Sequence, residues 1–230
     1  MSEQKVQDVG VNRRQLLKLV VLGDSGVGKT ALLRQYVQKK FIEAHQATIG
    51  ADLLTKIVTT NNINVSLQIW DTGKICVCVS GQERYDALGS TYFRGADACV
   101  FVYDISSKTS FAHVDQWRQS FIKNTSNDRN VSKFKFLLLG NKSDLQEDLR
   151  QVSTSDAAAY AQTNGMLFFE TSAKTASNVD EAFLALLHAI STVEDVVLYT
   201  SEVGQKIQLI EQEMEAKNRS AFDNCACVLI

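Results

Sequence analysis

The chain has 230 residues, of which 45% are hydrophobic and 22% charged, and its 24 Lys and Arg against 26 Asp and Glu give a net charge of −2. This composition excludes a wholly disordered chain, a collagen-like fibre and a small disulfide scaffold. Without a basic excess we expect no nucleic-acid partner. Five cysteines and no secretory signal favour a reducing, cytosolic compartment, and no apolar run is long enough to span a membrane.

Short apolar runs alternate with amphipathic stretches along most of the chain. Five nearly continuous apolar runs predict buried parallel strands at residues 16–22, 65–70, 98–105, 134–139 and 166–169. Residues 52–60 alternate between apolar and polar side chains, which is typical of an edge strand. Helical spacing of apolar residues follows the first strand (31–38), recurs around Trp117 (Phe111, Val114, Phe121), and returns after Ser177, a candidate N-cap (Val179, Phe183, Leu186, Leu187, Ile190).

This alternation predicts an α/β fold, with a doubly wound, mostly parallel six-stranded sheet and helices on both faces. We expect one domain at residues 15–195, after an N-terminal arm (1–14). A polar tail without strand signals follows at residues 196–230.

A glycine-rich segment directly follows the first predicted strand and opens a helix. Residues 23–30 read GDSGVGKT, which matches the phosphate-loop pattern of P-loop nucleotide triphosphatases. Glycines let backbone N–H groups converge on phosphate oxygens, the lysine adds a positive charge, and the threonine hydroxyl can bind Mg²⁺. The predicted phosphate-binding residues are Asp24, Ser25, Gly26, Val27, Gly28, Lys29 and Thr30.

A second motif selects the base. Asn141, Lys142 and Asp144 follow a predicted strand, where ligands bind in parallel sheets. A carboxylate accepts two hydrogen bonds from the ring N–H and the exocyclic amine of guanine, whereas adenine would leave Asp144 poorly paired. After the last strand, Ser172, Ala173 and Lys174 are expected to close over the base. An ATP-dependent enzyme is therefore disfavoured.

These motifs together resemble the small GTPases, and further stretches resemble the Rab family. They are TIGAD at 48–52, SLQIW at 66–70, RYDAL at 84–88, YFRGA at 92–96 and FVYDI at 101–105. The resemblance covers residues ~15 to ~193. The segments ATIGAD, LGSTYFRGAD and LLLGNKSDL are most similar in sequence to the late-endosomal and lysosomal, or vacuolar, branch of the Rab family.

The resemblance implies roles for single residues. Phe41 stands where the family places an aromatic ring against guanine, and Thr48 where a switch threonine binds Mg²⁺ and the γ-phosphate. Asp71 corresponds to the aspartate that holds Mg²⁺, and Gln82 to the catalytic glutamine that orients the attacking water. Gly81 would donate its N–H to the γ-phosphate. No arginine finger is evident, so efficient hydrolysis needs a partner that supplies one.

One segment departs from the family pattern. The second switch reads Asp-x-x-Gly-Gln in the family, but here residues 73–80 (GKICVCVS) stand where the family has one residue. Three interpretations remain open. The segment is a real insertion that slows hydrolysis or alters partner choice, a variation that leaves only nucleotide binding, or a retained intron. Cys76 and Cys78 lack companion ligands at metal-site spacing.

The chain ends in CACVLI, which fits a prenylation signal with Cys225 and Cys227 as lipid acceptors. The preceding arm is not basic, so stable membrane attachment would need two lipids. The sequence thus predicts a Rab-type GTPase switch with Mg²⁺, GTP and GDP, lipid-anchored on late endosomes, lysosomes or vacuoles and cycling through the cytosol. Its expected partners are an exchange factor, a GTPase-activating protein, effectors, the prenylation machinery and a GDP-dissociation inhibitor. The alternative is a nucleotide-binding interaction module with little or no hydrolysis.

Overall fold

Six strands form one sheet in the computed structural model, which describes residues 15–43, 52–60, 63–72, 92–125 and 134–191. The strand order is β2-β3-β1-β4-β5-β6, and every neighbouring pair is parallel except β2 with β3, which is antiparallel. The strands are β1 (Gln15–Leu22), β2 (Asp52–Thr60), β3 (Ile63–Asp71), β4 (Ala98–Asp104), β5 (Lys135–Asn141) and β6 (Met166–Thr171).

The predicted strands are confirmed, with ends that differ by no more than two residues. β4 is buried along its whole length, which explains why its sequence is apolar without alternation. β2 lies at an edge of the sheet, as its alternating pattern predicts, and Leu53 and Ile57 on it are exposed.

Within the described residues, four α-helices lie between strands and a fifth follows β6: α1 (Lys29–Gln38), α2 (Lys108–Ala112), α3 (Val114–Thr125), α4 (Thr154–Thr163) and α5 (Val179–Ser191). The apolar face predicted around Trp117 is divided between α2 and α3, with His113 at the junction. α5 begins at Val179, so the cap falls on Asn178, whose carbonyl accepts the bond from Ala182, and the expectation for Ser177 is wrong. The Ser177 carbonyl instead accepts a hydrogen bond from the Ser172 N–H.

Two apolar clusters cover the two faces of the sheet. On one face Leu19 and Val21 of β1 pack with α1 and α5, and on the other Val20 and Leu22 pack with α3 and α4. Alternate side chains of one strand therefore enter opposite cores, which confirms the doubly wound α/β fold with helices on both faces. None of the helices in the described ranges is long and apolar enough to cross a bilayer.

The strand register brings the candidate site residues to one edge of the sheet. Val21 of β1 lies beside Asp71 of β3, and Asn141 of β5 lies between Asp104 of β4 and Thr171 of β6. Loops at the carboxyl ends of parallel strands form the ligand crevice in open α/β sheets. The segments predicted to bind phosphate, metal and base all leave the sheet at this edge.

Candidate nucleotide site

The phosphate loop, residues 23–30, runs from β1 into α1. Gly23 has φ +147° and its backbone touches β4 so closely that a Cβ would lie 2.1 Å from the Val102 carbonyl oxygen. Gly28 has φ +96° and precedes α1, whose first turn has no side-chain cap. An uncapped first turn leaves backbone N–H groups for an anion, in the direction that the helix dipole also favours. The loop therefore has the backbone conformation of a phosphate cradle.

Lys29 is 5% exposed, and its ammonium group is held inside the loop. Nζ donates hydrogen bonds to the Gly23 and Asp24 carbonyl oxygens, both at 2.7 Å. Burial lowers the pKa of Lys29, against the opposing attraction of the Asp71 and Asp24 carboxylates. Because burial disfavours the charged ammonium group, an additional anion beside it would stabilise the charge. The loop is therefore electrostatically suited to bind a phosphate.

Thr30 and Asp71 are in contact beside the loop. The Thr30 hydroxyl donates to Asp71 Oδ2 at 2.5 Å, and Asp71 is 1% exposed at the end of β3. No group of three or more His, Cys, Asp or Glu side chains within the described ranges is placed to hold a metal. A hydroxyl and a carboxylate nevertheless fit Mg²⁺, which is bound through one or two protein oxygens, waters and substrate phosphates.

Asn141, the first residue of the base motif (residues 141–144), connects three segments of the site. It is 1% exposed, its Nδ2 donates to the Val27 carbonyl of the phosphate loop at 2.8 Å, and its Oδ1 accepts from the Ala173 N–H at 3.2 Å. The amide thus satisfies buried backbone groups on both sides. The base motif, the phosphate loop and the segment at 172–174 are held at fixed separations by one side chain.

The rest of the base motif is held by side-chain contacts. Asp144 Oδ1 accepts a hydrogen bond from the Ser172 hydroxyl at 2.6 Å. Lys142 has φ +70°, a conformation that a lysine rarely adopts, and its Nζ lies 2.6 Å from Asp104 Oδ2. Strained residues of this kind persist where the surrounding contacts determine them, often at functional sites.

Two of the predicted site residues are exposed to solvent. Lys174 is exposed beyond Ala173. Phe41 follows α1 and has 37% of its surface exposed.

Two side chains that the sequence patterns do not single out contact the phosphate loop. The indole Nε1 of Trp117 donates to Asp24 Oδ1 at 2.9 Å, and His113 Nδ1 lies 2.7 Å from Asp24 Oδ2. In the sequence, helical spacing places Trp117 on an apolar helix face, and no motif includes His113. Because 89 and 93 residues separate them from Asp24, no local pattern indicates the contact.

The Ras family model matches residues 18–192, well over half of the chain. The chain belongs to the Ras family. Among its relatives, the Ypt/Rab-type GTPase avaA of Emericella nidulans is 40% identical over 216 residues, 94% of this chain and 98% of the relative. The Ras-related protein Rab-7a of Dictyostelium discoideum is 42% identical over 211 residues, 91% and 98%. The Ypt/Rab-type GTPase ypt7 of Schizosaccharomyces pombe is 49% identical over 172 residues, 74% and 80%.

These relatives place the chain in the Rab branch of the Ras family, as the sequence motifs predict. Several positions that the family resemblance singles out lie outside the described residues. They are Thr48 of the first switch, the segment 73–80 with Gly81 and Gln82 of the second, and the two cysteines Cys225 and Cys227. Their assigned roles stay predictions.

Proposed function

We propose that this Ras-family protein is a Rab-type molecular switch that binds GTP and GDP and hydrolyses GTP. The observation that carries the proposal is the Asn141 side chain, which joins a base motif to a phosphate loop through the Val27 carbonyl. A chain that fixes both motifs at one edge of its sheet can bind the base and the phosphates of a single nucleotide.

In this proposal the phosphate loop binds the phosphates through its backbone N–H groups, and Lys29 releases its loop carbonyls to bind the terminal phosphates. Asp144 accepts from guanine while the Ser172 hydroxyl, 2.6 Å from its Oδ1, holds the carboxylate. Ala173 and Lys174 cover the base, and Phe41 packs on its other side. A carboxylate that already receives one hydrogen bond is oriented before the base arrives, which reduces the entropy lost on binding.

Thr30 and Asp71, together with Thr48, are the residues that would hold Mg²⁺. The ion would supply neutralisation of charge on the β- and γ-phosphate oxygens. Asp71 is buried and its carboxylate contacts the Thr30 hydroxyl, so the hydroxyl oxygen and a carboxylate oxygen lie together beside the loop.

Gln82 is proposed to orient the attacking water, and Gly81 to contact the γ-phosphate. After hydrolysis the γ-phosphate no longer keeps the two switches ordered, and effectors that bind the ordered switches dissociate. The segment 73–80 is what favours the alternative, a module that binds nucleotide without hydrolysing it. We propose the hydrolysing switch, because the relatives that are similar over most of this chain are Ypt/Rab-type GTPases.

Membership of the Rab branch implies regulators and effectors that distinguish the two nucleotide states. We propose an exchange factor, a GTPase-activating protein that supplies an arginine, and a GDP-dissociation inhibitor. We further propose that residues 15–195 form the GTPase domain and that lipids on Cys225 and Cys227 attach the tail to late-endosomal or vacuolar membranes. A Cys225→Ser, Cys227→Ser double variant should then move from the membrane fraction to the cytosol.

Nucleotide specificity tests the binding proposal. The full chain, loaded with fluorescent GDP, should release it to excess GTP or GDP but not to the same excess of ATP. In Asp144→Asn the amide can donate to a base carbonyl, so affinity for guanine should fall at least ~100-fold and affinity for xanthine nucleotides should rise. Equal competition by ATP and GTP would contradict the assigned role of Asp144.

Single-turnover hydrolysis tests the enzymatic proposal. Wild-type protein loaded with GTP and Mg²⁺ should convert it to GDP at roughly 10⁻⁴ s⁻¹, the rate typical of unassisted small GTPases. Gln82→Leu should bind GTP normally and hydrolyse it more slowly. Wild-type protein that retains GTP unchanged for a day would instead support the binding-only alternative.

A further inference from the structure

The carboxylate of Asp24 is held by two side chains from outside the phosphate loop. Trp117 of α3 donates its indole N–H to Oδ1 at 2.9 Å, and His113, just before α3, bonds Oδ2 through Nδ1 at 2.7 Å. We propose that Trp117 and His113 are positioning residues for nucleotide retention, because they hold this carboxylate on α3 and so keep it from pairing with Lys29. This inference rests on the proposed nucleotide-binding function.

The position of Asp24 explains why its carboxylate needs to be held. The Asp24 carbonyl oxygen accepts a hydrogen bond from Lys29 Nζ, so one residue carries both a partner of the ammonium group and a negative charge. That charge already acts on Lys29, since it opposes the lowering of the lysine pKa by burial. A carboxylate free to turn would pair with the ammonium group and repel the phosphates with which the lysine should pair.

The donors are themselves fixed in place. Trp117 is 7% exposed, and its ring belongs to the apolar cluster under α3 and α4. The backbone is helical through the junction, because the His113 N–H donates to the Thr109 carbonyl and the His113 carbonyl accepts from the Trp117 N–H. The residue before Asp24, Gly23, is packed against Val102 of β4. Asp24 is therefore held through its neighbour in the chain and through its side-chain contacts with Trp117 and His113.

The chemistry of the donors suits this task. An indole N–H only donates, and a carboxylate only accepts, so His113 Nδ1 must carry the proton in this contact. Both bonds go to a charged acceptor, which makes them stronger than bonds between neutral groups. Together they occupy one hydrogen-bonding position on each carboxylate oxygen and direct both oxygens toward α3.

The test measures release of fluorescent GDP from the full chain into excess unlabelled GDP. Trp117→Phe keeps a buried ring but loses the donor, and His113→Ala loses the second donor, so each should release GDP about 5- to 20-fold faster. His113→Asn, whose amide nitrogen takes the place of Nδ1, should restore a rate within about 3-fold of wild type. Release at the wild-type rate by both donor-deleted variants would overturn the proposal.

Matched controls remove the same chemical groups elsewhere. Trp70→Phe deletes an indole N–H that has no hydrogen-bond partner in the described part of the chain, and His188→Ala deletes an exposed imidazole on α5. Both should release GDP at the wild-type rate. Faster release by both controls, equal to that of the test variants, would overturn the proposal because the effect would then be general.

A double-variant comparison separates positioning from packing. Trp117→Phe should accelerate release in the wild-type background, but by less than about 2-fold in an Asp24→Ala background, because no carboxylate remains to be freed. Equal acceleration in both backgrounds would mean that the indole acts by packing, and the proposal would fail. If wild-type protein itself does not retain GDP, the proposed function fails, which is a distinct result.

Discussion

The phosphate loop and the base motif lie at the same edge of the sheet, but the loop is shaped by its backbone and the base motif by its side chains. The loop depends on its backbone: Gly23 and Gly28 adopt conformations and close approaches that a side chain would prevent. The base motif depends on side chains, since Asn141, Lys142 and Asp144 each make a hydrogen bond or ion pair to another segment. A loop of backbone amides can be recognised from consecutive residues, whereas a side-chain network appears only when several segments are in place.

Because the phosphate loop depends on its backbone, an added methyl group should be most harmful there. Gly23→Ala should lower the free energy of unfolding by about 3 to 5 kcal/mol, because its Cβ would overlap the Val102 carbonyl oxygen at a positive φ. Urea unfolding at a fixed excess of GDP measures this change.

Gly95→Ala is the matched control for that substitution. Gly95 also has positive φ, but a Cβ there meets nothing within 4 Å, so the cost should be only about 1 kcal/mol. Equal losses at the two glycines would mean that conformation alone, and not the contact with β4, determines the loop.

Because the base motif depends on side chains, the loss of one side chain should loosen two segments. Asn141→Ala leaves the Val27 carbonyl and the Ala173 N–H buried without their partner, which should cost about 2 to 4 kcal/mol. GDP should also dissociate faster, and stopped-flow release of fluorescent GDP measures this together with unfolding.

Asn164→Ala offers a control with the same chemistry. The Asn164 amide donates a single bond, 2.9 Å long, to the Tyr160 carbonyl at the end of α4, away from the carboxyl ends of the strands. Its loss should cost about 1 kcal/mol or less and leave GDP release unchanged. A change in release as large as that of Asn141→Ala would show that Asn141 has no special bridging role.

The smallest effect is expected from the loss of the ion pair between Lys142 of the base motif and Asp104 at the end of β4. Burial alone would raise the pKa of Asp104, but hydrogen bonds from Lys142 and Ser106 outweigh it and hold the pKa below its usual value of 3.8. When folding lowers the pKa of a carboxyl group, its negative charge stabilises the folded protein at pH values above the pKa of the unfolded state. This stability is lost as the pH falls through the pKa of the folded state. Asp104→Asn should therefore cost about 1 to 2 kcal/mol at pH 7, and less as the pH approaches 3.

Urea unfolding of the wild type and the variant across this pH range measures the difference. Asp115→Asn, which removes a half-exposed carboxylate 3.9 Å from Arg118, should change stability by no more than about 0.5 kcal/mol at pH 7. A cost for Asp104→Asn that is the same at pH 3 and pH 7 would contradict an origin in the charge of Asp104.

Much of the fold followed from local patterns. All six strands were predicted, because buried parallel strands are apolar runs of recognisable length. α4 was not singled out, and the reason is physical: the side chains that it buries are Ala157 and Ala161, which give little apolar periodicity. The division between α2 and α3 was also missed, since Phe111 and Trp117 keep helical spacing across His113.

The sequence by itself determined the sheet, the phosphate-loop and base motifs, and the family resemblance, because each is written in consecutive or regularly spaced residues. Only the tertiary structure decided which side chains hold those motifs: Asn141 between Val27 and Ala173, Lys142 on Asp104, and Trp117 with His113 on Asp24. All of these contacts join residues from about 30 to more than 100 positions apart. They form because parallel strands bring the ends of distant segments to one edge of the sheet, which no local spacing records.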